Sequence, residues 1–290
     1  MFPMVNFLIL SMFLLMMVYI GLSVSSLIIL VLVMEVTMFI FIFQTYDFKM
    51  LAYSSPSVKY FLVQTIGSLV LLLYALVQDI IHYNLISDTM VLFALCLKLG
   101  MFPLHFWVIP MVMNLPFIMV GVLSVPMKIL PLGYLFNLLH SDMILKLENF
   151  ILFMGSGSML VGMLLGLENN MIRGVLGASS ITHTGWMMFG MFSGTLITYF
   201  ILYSVVLTFL LMGLISLNGV IVGINFYALG GLPPFPVFFG KMMVLYNMFM
   251  LNMPLVYLVL GLLTAGLSLY YYLKFANSFL LTIGKNIDHF

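Results

Sequence analysis

The chain has 290 residues, 64% of them hydrophobic and 6% charged, with a mean hydropathy of +1.28 and a formal net charge of +1. No soluble domain of this size could hide so much apolar surface, so its solvent is lipid. There is no basic field for nucleic acid and no acidic tail. The single cysteine, Cys96, excludes an intrachain disulfide and a four-cysteine iron–sulfur site.

The N-terminal stretch MFPMVNFLILSMFLLMM lacks a positive n-region and a small-residue cleavage pattern, and reads as a retained first span. Apolar runs long enough to cross a bilayer follow one another at roughly 4–21, 24–43, 59–78, 86–113, 115–138, 149–167, 172–192, 195–216, 218–250 and 254–275. The expected fold is therefore all-α, with about ten transmembrane helices in one integral membrane domain over 1–290 and approximate halves at 24–140 and 149–275. Lipid offers backbone groups no partner, which demands helices here, since the runs are continuous rather than alternating. Short connections leave no room for an extramembrane domain. With ten spans both termini share a side. That side takes Lys49, Lys59, Arg173, Lys274 and Lys285, against Lys146 with Asp79, Asp88, Asp142 and Glu148 on the other. The excess of basic residues places both termini in the cytoplasm or matrix.

Four charges fall inside spans. Glu35 lies in LIILVLVMEVTMFIF, Lys98 in the fourth span, Lys128 in SVPMKILP between Pro126 and Pro131, and Lys241 in the ninth span. Each costs roughly 2.5–3.5 kcal/mol at a helix centre, and such residues face a protein interior or wet cavity and mark ion or proton paths. A buried group whose charged form is disfavoured gives and takes protons near neutral pH. Snorkelling to the interface or a structural ion pair is the plainer reading of any one lysine. The fourth span carries LGMFP (99–103), with Gly100 and Pro103. The ninth carries LGGLPP (229–234), with Gly230, Gly231, Pro233 and Pro234. Two discontinuous helices, each with a lysine close by, are a pointer to a transport site, because broken backbone survives at membrane depth only in protein or against a cavity. Trp107, just past the first break, reads as an interfacial anchor. His105 either ends a half-channel or sits at that interface.

His183 stands in ASSITHTGWMM among Ser179, Ser180, Thr182 and Thr184. This hydroxyl-rich stretch suits a water wire, or equally a structural histidine whose neighbouring hydroxyls bond back to their own helix. GSGSML (155–160) lacks the third glycine of a dinucleotide loop and lies within a span. Ser158, Gly162 and Gly166 instead repeat as a helix-packing face. No Walker loop, His-Glu-x-x-His or nucleophile elbow occurs, so no cofactor-binding or metal site is expected on the chain.

KYFLVQTIGS (59–68), KLGMFPLHFW (98–107), SSITHTGW (179–186) and LGGLPP (229–234), in this order, resemble the chain-2 family of membrane subunits of mitochondrial NADH:ubiquinone oxidoreductase, respiratory complex I. The resemblance covers almost the whole chain. It implies antiporter-like inverted repeats of five helices and proton-transfer roles for Glu35, Lys98, Lys128, Lys241 and the His183 region along a hydrophilic axis. It implies that the complex uses NADH, FMN, iron–sulfur clusters and ubiquinone, none held by this chain, and that quinone reduction elsewhere drives the pumping. The implied partners are other membrane-arm subunits and the bilayer, without nucleic acid. The implied location is the mitochondrial inner membrane, with both termini on the matrix side. The sequence departs from the family at Met111, at Arg173-Gly174 and at Phe235-Pro236-Val237, where peripheral proton entry is expected to differ. A free-standing cation/proton antiporter and a purely structural membrane subunit use the same residues and stay open.

Overall fold

The computed structural model of the chain describes residues 2–47, 54–80, 85–138 and 143–281. Lys49, Asp142 and Lys285, which enter the charge count of the loops, lie outside the described residues. Thirteen α-helices occur among the described residues: α1 Phe2–Ser23, α2 Leu27–Asp47, α3 Ser54–Ile80, α4 Leu85–Leu99, α5 Val108–Asn114, α6 Phe117–Ser124, α7 Pro126–Leu138, α8 Met143–Glu168, α9 Ile172–Phe192, α10 Leu196–Ile215, α11 Gly219–Gly230, α12 Pro236–Met250 and α13 Leu255–Leu281, with a 3-10 turn at His105–Trp107. The fold is an all-α membrane architecture, with no strand among the described residues.

Seven segments among the described residues are long and apolar enough to cross a membrane: α1, α2, α3, α6 with α7, α8, α10 and α13. The segments expected at 86–113 and 218–250 are each interrupted, as α4 to α5 and α11 to α12. The helix at 172–192 is the expected length but carries the hydroxyls and imidazole that lower its hydropathy.

The interruptions have local causes. Gly100 adopts φ +68° and Gly231 φ +82°, left-handed conformations that terminate a helix and that glycine adopts without a Cβ penalty. After Gly231, Leu232 N–H reaches back to Tyr227 C=O at 3.4 Å, closing the turn, and α12 restarts with Pro236 at its first position, where a missing N–H costs nothing. Phe102–Pro103 and Pro233–Pro234 are cis peptides. The kink expected around Pro126 and Pro131 is seen as a one-residue interruption at Val125 (φ −114°, ψ −76°) between α6 and α7, where the proline crowds the residue before it. Pro131 is accommodated inside α7.

The chain forms two compact units, Met1–Gly100 with Asn114–Leu147, and Met101–Met113 with Glu148–Phe290. In the first, α2 packs on α1 and α3, α4 lies along α3, and α7 contacts α1, α4 and α6. In the second, α11 lies along α13 and beside α10, while α12 contacts α9 and α10. Nearly every side chain of α9 is buried, including His183 at 1% exposure, so this polar helix is shielded by protein. Gly162 allows α8 to meet α9 backbone to backbone: a Cβ there would lie 2.7 Å from Thr182 N and 2.9 Å from Ala178 O. Gly166 faces the Tyr271 ring and Ser158 faces Gly185, so the expected small-residue face of α8 does pack. Trp107 is 5% exposed, buried in the second unit rather than standing at an interface, because the 3-10 turn directs it inward.

Candidate functional site

The first unit gathers Glu35, Lys98 and Lys128. Lys98 occupies the last turn of α4 and is 8% exposed. The negative end of the helix dipole favours a cation there. Gly67 on α3 makes room for its stem: a Cβ on Gly67 would lie 3.2 Å from Lys98 Cγ and 3.4 Å from Ala94 O. One turn earlier, Gln64 Nε2 donates to Lys98 C=O at 3.3 Å. A helix that stops inside the membrane leaves its last carbonyls without partners, and Gln64 satisfies one of them. Glu35, on α2, is half-buried and lies within electrostatic reach of Lys98 and Tyr60. Its Oε1 is buried without a hydrogen-bond partner among the described residues. Lys128, 7% exposed, stands in the first turn of α7, just after the interruption at Val125.

The second unit gathers Lys241 and His183. Lys241, 6% exposed, projects from α12 back to the C-terminal end of α11, where Nζ donates to Gly230 C=O at 3.0 Å. Gly231 lies against it; a Cβ on that glycine would sit 3.2 Å from Nζ. The ammonium also lies 5.8 Å from the centroid of the Trp186 ring, within cation–π range. Lys98 and Lys241 thus share one electrostatic solution: each sits at the C-terminal end of the first half of an interrupted helix. Lys98 does so from the half-helix itself and Lys241 from the half that follows. The C-terminal end of α5 is satisfied similarly, by Arg173 Nη1 donating to Met113 C=O at 3.4 Å. Arg173, counted among the loop cations, is therefore half-buried at the start of α9.

The imidazole of His183 is held on both sides. Nδ1 is 2.8 Å from Tyr199 Oη and Nε2 is 3.3 Å from Tyr272 Oη, while the Tyr203 ring packs on it at a 4.6 Å centroid distance. The neighbouring hydroxyls turn away from it. Ser179, Ser180, Thr182 and Thr184 donate to carbonyls three residues back in α9. Of the two sequence readings of this stretch, back-bonding describes the hydroxyls, and tyrosines from α10 and α13 supply the histidine's partners. Tyr199, Tyr203, Tyr272, Gln64 and Gly67 were not among the expected site residues. The available signals were phenols at i and i+4 in the apolar TYFILYSV, and YYY in the last span. His105 lies in the 3-10 turn, its ring stacked on Phe102 at 6.4 Å.

Chemically, the first unit holds two buried lysines on interrupted or kinked helices with a carboxyl, and the second holds one with an imidazole and two phenols. Among the described residues no group of three potential metal ligands comes together.

The sequence matches the family model described as NADH:quinone oxidoreductase/Mrp antiporter, transmembrane, over residues 15–222. It is 39% identical over 234 residues to the NADH-ubiquinone oxidoreductase chain 2 of Albinaria caerulea, covering 78% of this chain and 74% of that one. It is 31% identical over 265 residues to the chain 2 of Anopheles gambiae, covering 82% and 75%. In fold it is similar to a chain of respiratory complex I from Thermus thermophilus, with a TM-score of 0.83 and 19% identity over 94% of this chain and 70% of that chain. It is also similar to a chain of the Mrp complex from a Dietzia species, with a TM-score of 0.75 and 16% identity over 90% and 59%.

Proposed function

The chain belongs to the NADH:quinone oxidoreductase/Mrp antiporter transmembrane family, and from that premise we propose that it is a proton-translocating membrane-arm subunit of respiratory complex I. The observation that supports this reading most is the placement of Lys98 and Lys241. Both are buried ammonium groups, each at the C-terminal end of a half-helix that stops inside the membrane. A lysine there is stabilised when charged by backbone carbonyls and the helix dipole, and destabilised by burial. Its proton is therefore held by a balance that a nearby change of charge can tip.

In the first unit the neighbouring charge is Glu35. Protonation of Glu35 removes the anion that favours the Lys98 ammonium, so Lys98 releases its proton more readily. Ionisation of Glu35 reloads it. Lys128 is the next buried base in that unit. In the second unit Lys241 holds its proton on Gly230 C=O and over Trp186, with the His183 cluster beside it. The redox chemistry belongs to the assembly: NADH, FMN, iron–sulfur clusters and ubiquinone are held by other subunits, and this chain supplies coupled proton transfer. The setting is the mitochondrial inner membrane, with both termini on the matrix side and other membrane-arm subunits as partners.

The test is a pair of measurements on the native membrane. After mild solubilisation the chain co-migrates with NADH dehydrogenase activity in a very large band, and Lys98→Ala or Glu35→Ala lowers NADH-driven proton pumping in complexes that still assemble. Normal pumping by those assembled variants would sink the proposal. The similarity to the Mrp chain favours one further reading, a free-standing cation/proton antiporter. Migration apart from the dehydrogenase, with Na⁺-dependent transport by the purified chain, would establish that reading instead.

A further inference from the structure

In the second unit α8 and α13 run side by side in the same direction, since Tyr257, Thr264 and Tyr271 of α13 meet Asn149, Met159 and Gly166 of α8 in that order. At Gly166 the Tyr271 ring lies directly on the helix: a Cβ would come 2.7 Å from Tyr271 Cε1. At the other end the Tyr257 side chain spans the gap, its hydroxyl donating to Asn149 C=O at 3.5 Å. Toward that end lies a cleft of about 640 Å³, lined from Asn149 to Val161 on α8 and from Pro254 to Leu260 on α13. Two of its walls, Phe153 and Val256, are 56% and 67% exposed, so it opens on the outer surface of the unit.

The floor of the cleft is Phe102, from the connection between α4 and α5. Its ring lies on Gly157, where a Cβ would come 2.6 Å from Phe102 Cδ1, and meets the Phe153 ring edge to face at 6.2 Å. Ser156 also lines the cleft, but its hydroxyl donates to Phe153 C=O in its own helix at 2.9 Å, which leaves the interior apolar. Polar groups stand at the Asn149 and Tyr257 end, beside the short turn 251–254 that joins α12 to α13. A turn between membrane helices marks the bilayer surface, where a tyrosine keeps its ring in lipid and its hydroxyl in a polar layer.

Such a lining offers water no partners, and close-packed interiors do not leave a void of this size empty. A transmembrane helix is too thick to enter. Over the run from Asn149 to Val161, about 18 Å of α8, a helix about 10 Å across would occupy about 1,400 Å³, against the about 640 Å³ present. That same run of about 18 Å matches one leaflet of hydrocarbon, about 15 Å or half of the bilayer core. We propose that the cleft holds one acyl chain of a membrane phospholipid, with the ester and headgroup at Asn149 and Tyr257 and the tail against Phe102. The acyl chain leaves a medium as apolar as the cleft, so contact with the walls holds it rather than hydrophobic transfer. Phe102 follows Gly100 by two residues, so the lipid braces the connection that interrupts the fourth span.

The test uses native membranes and a phosphatidylcholine carrying a diazirine near the end of one acyl chain. After photolysis the protein is isolated and its labelled residues are read by mass spectrometry. Label is expected on Phe102 or Gly157 at the cleft floor, as well as on outward-facing side chains of α8 such as Leu164. Leu160→Trp and Val256→Trp fill the cleft and are expected to lose the floor label while Leu164 keeps its own. Val256 is exposed, so its variant serves where Leu160→Trp fails to fold. A floor that stays unlabelled in the unmodified protein overturns the proposal, since a neighbouring subunit or another stretch of this chain then fills the cleft. Floor label that persists in Val256→Trp overturns it as well, since the lipid then reaches Phe102 by another route. The readout is the position of the label, so either result leaves the proton-translocating role to its own test.

Discussion

Replacing Gly231 by alanine strikes the Lys241 site through the backbone and through one added methyl group. Gly231 has φ +82°, where an L-residue costs about 1–2 kcal/mol. The new Cβ would also stand 3.2 Å from Lys241 Nζ and 3.3 Å from Cδ, closer than carbon normally approaches. The ammonium has to move, and its 3.0 Å bond to Gly230 C=O is the contact at risk. A hydrogen bond to a charged group contributes about 1.5–3 kcal/mol, so the two effects together reach about 2.5–5 kcal/mol. The backbone strain bears on both positions of the lysine, so the balance between docked and displaced lysine shifts by the hydrogen-bond part alone, roughly tenfold to a hundredfold at 1.4 kcal/mol per factor of ten. Gly230→Ala is the matched control. Gly230 ends α11 with ordinary helical backbone, and its Cβ would meet Tyr272 Cβ at 3.3 Å, a milder crowding. The assay is NADH-driven proton pumping by the assembled complex, with heat resistance of the complex followed on native gels. Gly231→Ala is expected to lose most pumping and to dissociate at lower temperature, with Gly230→Ala between it and the unmodified complex. Equal behaviour of Gly231→Ala and the unmodified complex would refute both the left-handed cap and the lysine's docking on α11.

Three further outcomes follow from the packing. Gln64→Leu keeps the volume but removes the donor to Lys98 C=O, leaving a helix-end carbonyl unpaired in an apolar setting. The complex is expected to lose about 1–3 kcal/mol of stability, read as earlier dissociation on heating. Gly67→Ala places a Cβ 3.2 Å from Lys98 Cγ, so the lysine stem shifts and pumping falls while assembly persists; unchanged pumping would show that the α3 notch does not position Lys98. Gly162→Ala sets a Cβ 2.7 Å from Thr182 N and 2.9 Å from Ala178 O, where backbone cannot yield, whereas Gly266→Ala meets nothing within 4 Å. The first is expected to cut the amount of assembled complex sharply and the second to leave it unchanged, as quantified by immunoblot of native gels.

Much of this protein was legible in its residue order, because lipid makes the reading strict. Apolar runs have to be helices, glycine and proline in them have to interrupt, and a charge in them has to be protected. That logic located Lys98, Lys128, Lys241 and Glu35, placed the breaks at Gly100 and at Gly230–Gly231, and identified the small-residue face of α8. It could say that a lysine accompanies each break but not how. Lys98 stands in the last turn of the half-helix it belongs to, while Lys241 reaches back from the following half, and only the course of the backbone through Gly231 to Pro236 decides that.

Residues distant in sequence were beyond any local pattern. Gln64 supports Lys98 across 34 positions, Arg173 supports Met113 across 60, and Tyr272 meets His183 across 89. The hydroxyls beside His183 read equally as a water wire or as bonded back to their own helix; they bond back, and the imidazole is held by phenols from other helices. Trp107 shows the same limit, since an aromatic near a break reads as an interfacial anchor until the turn that carries it is seen to point inward. Composition and helix periodicity decide which side chains must leave lipid. Which of them then meet is decided by helix crossings, and those depend on glycines whose value lies in what packs against them.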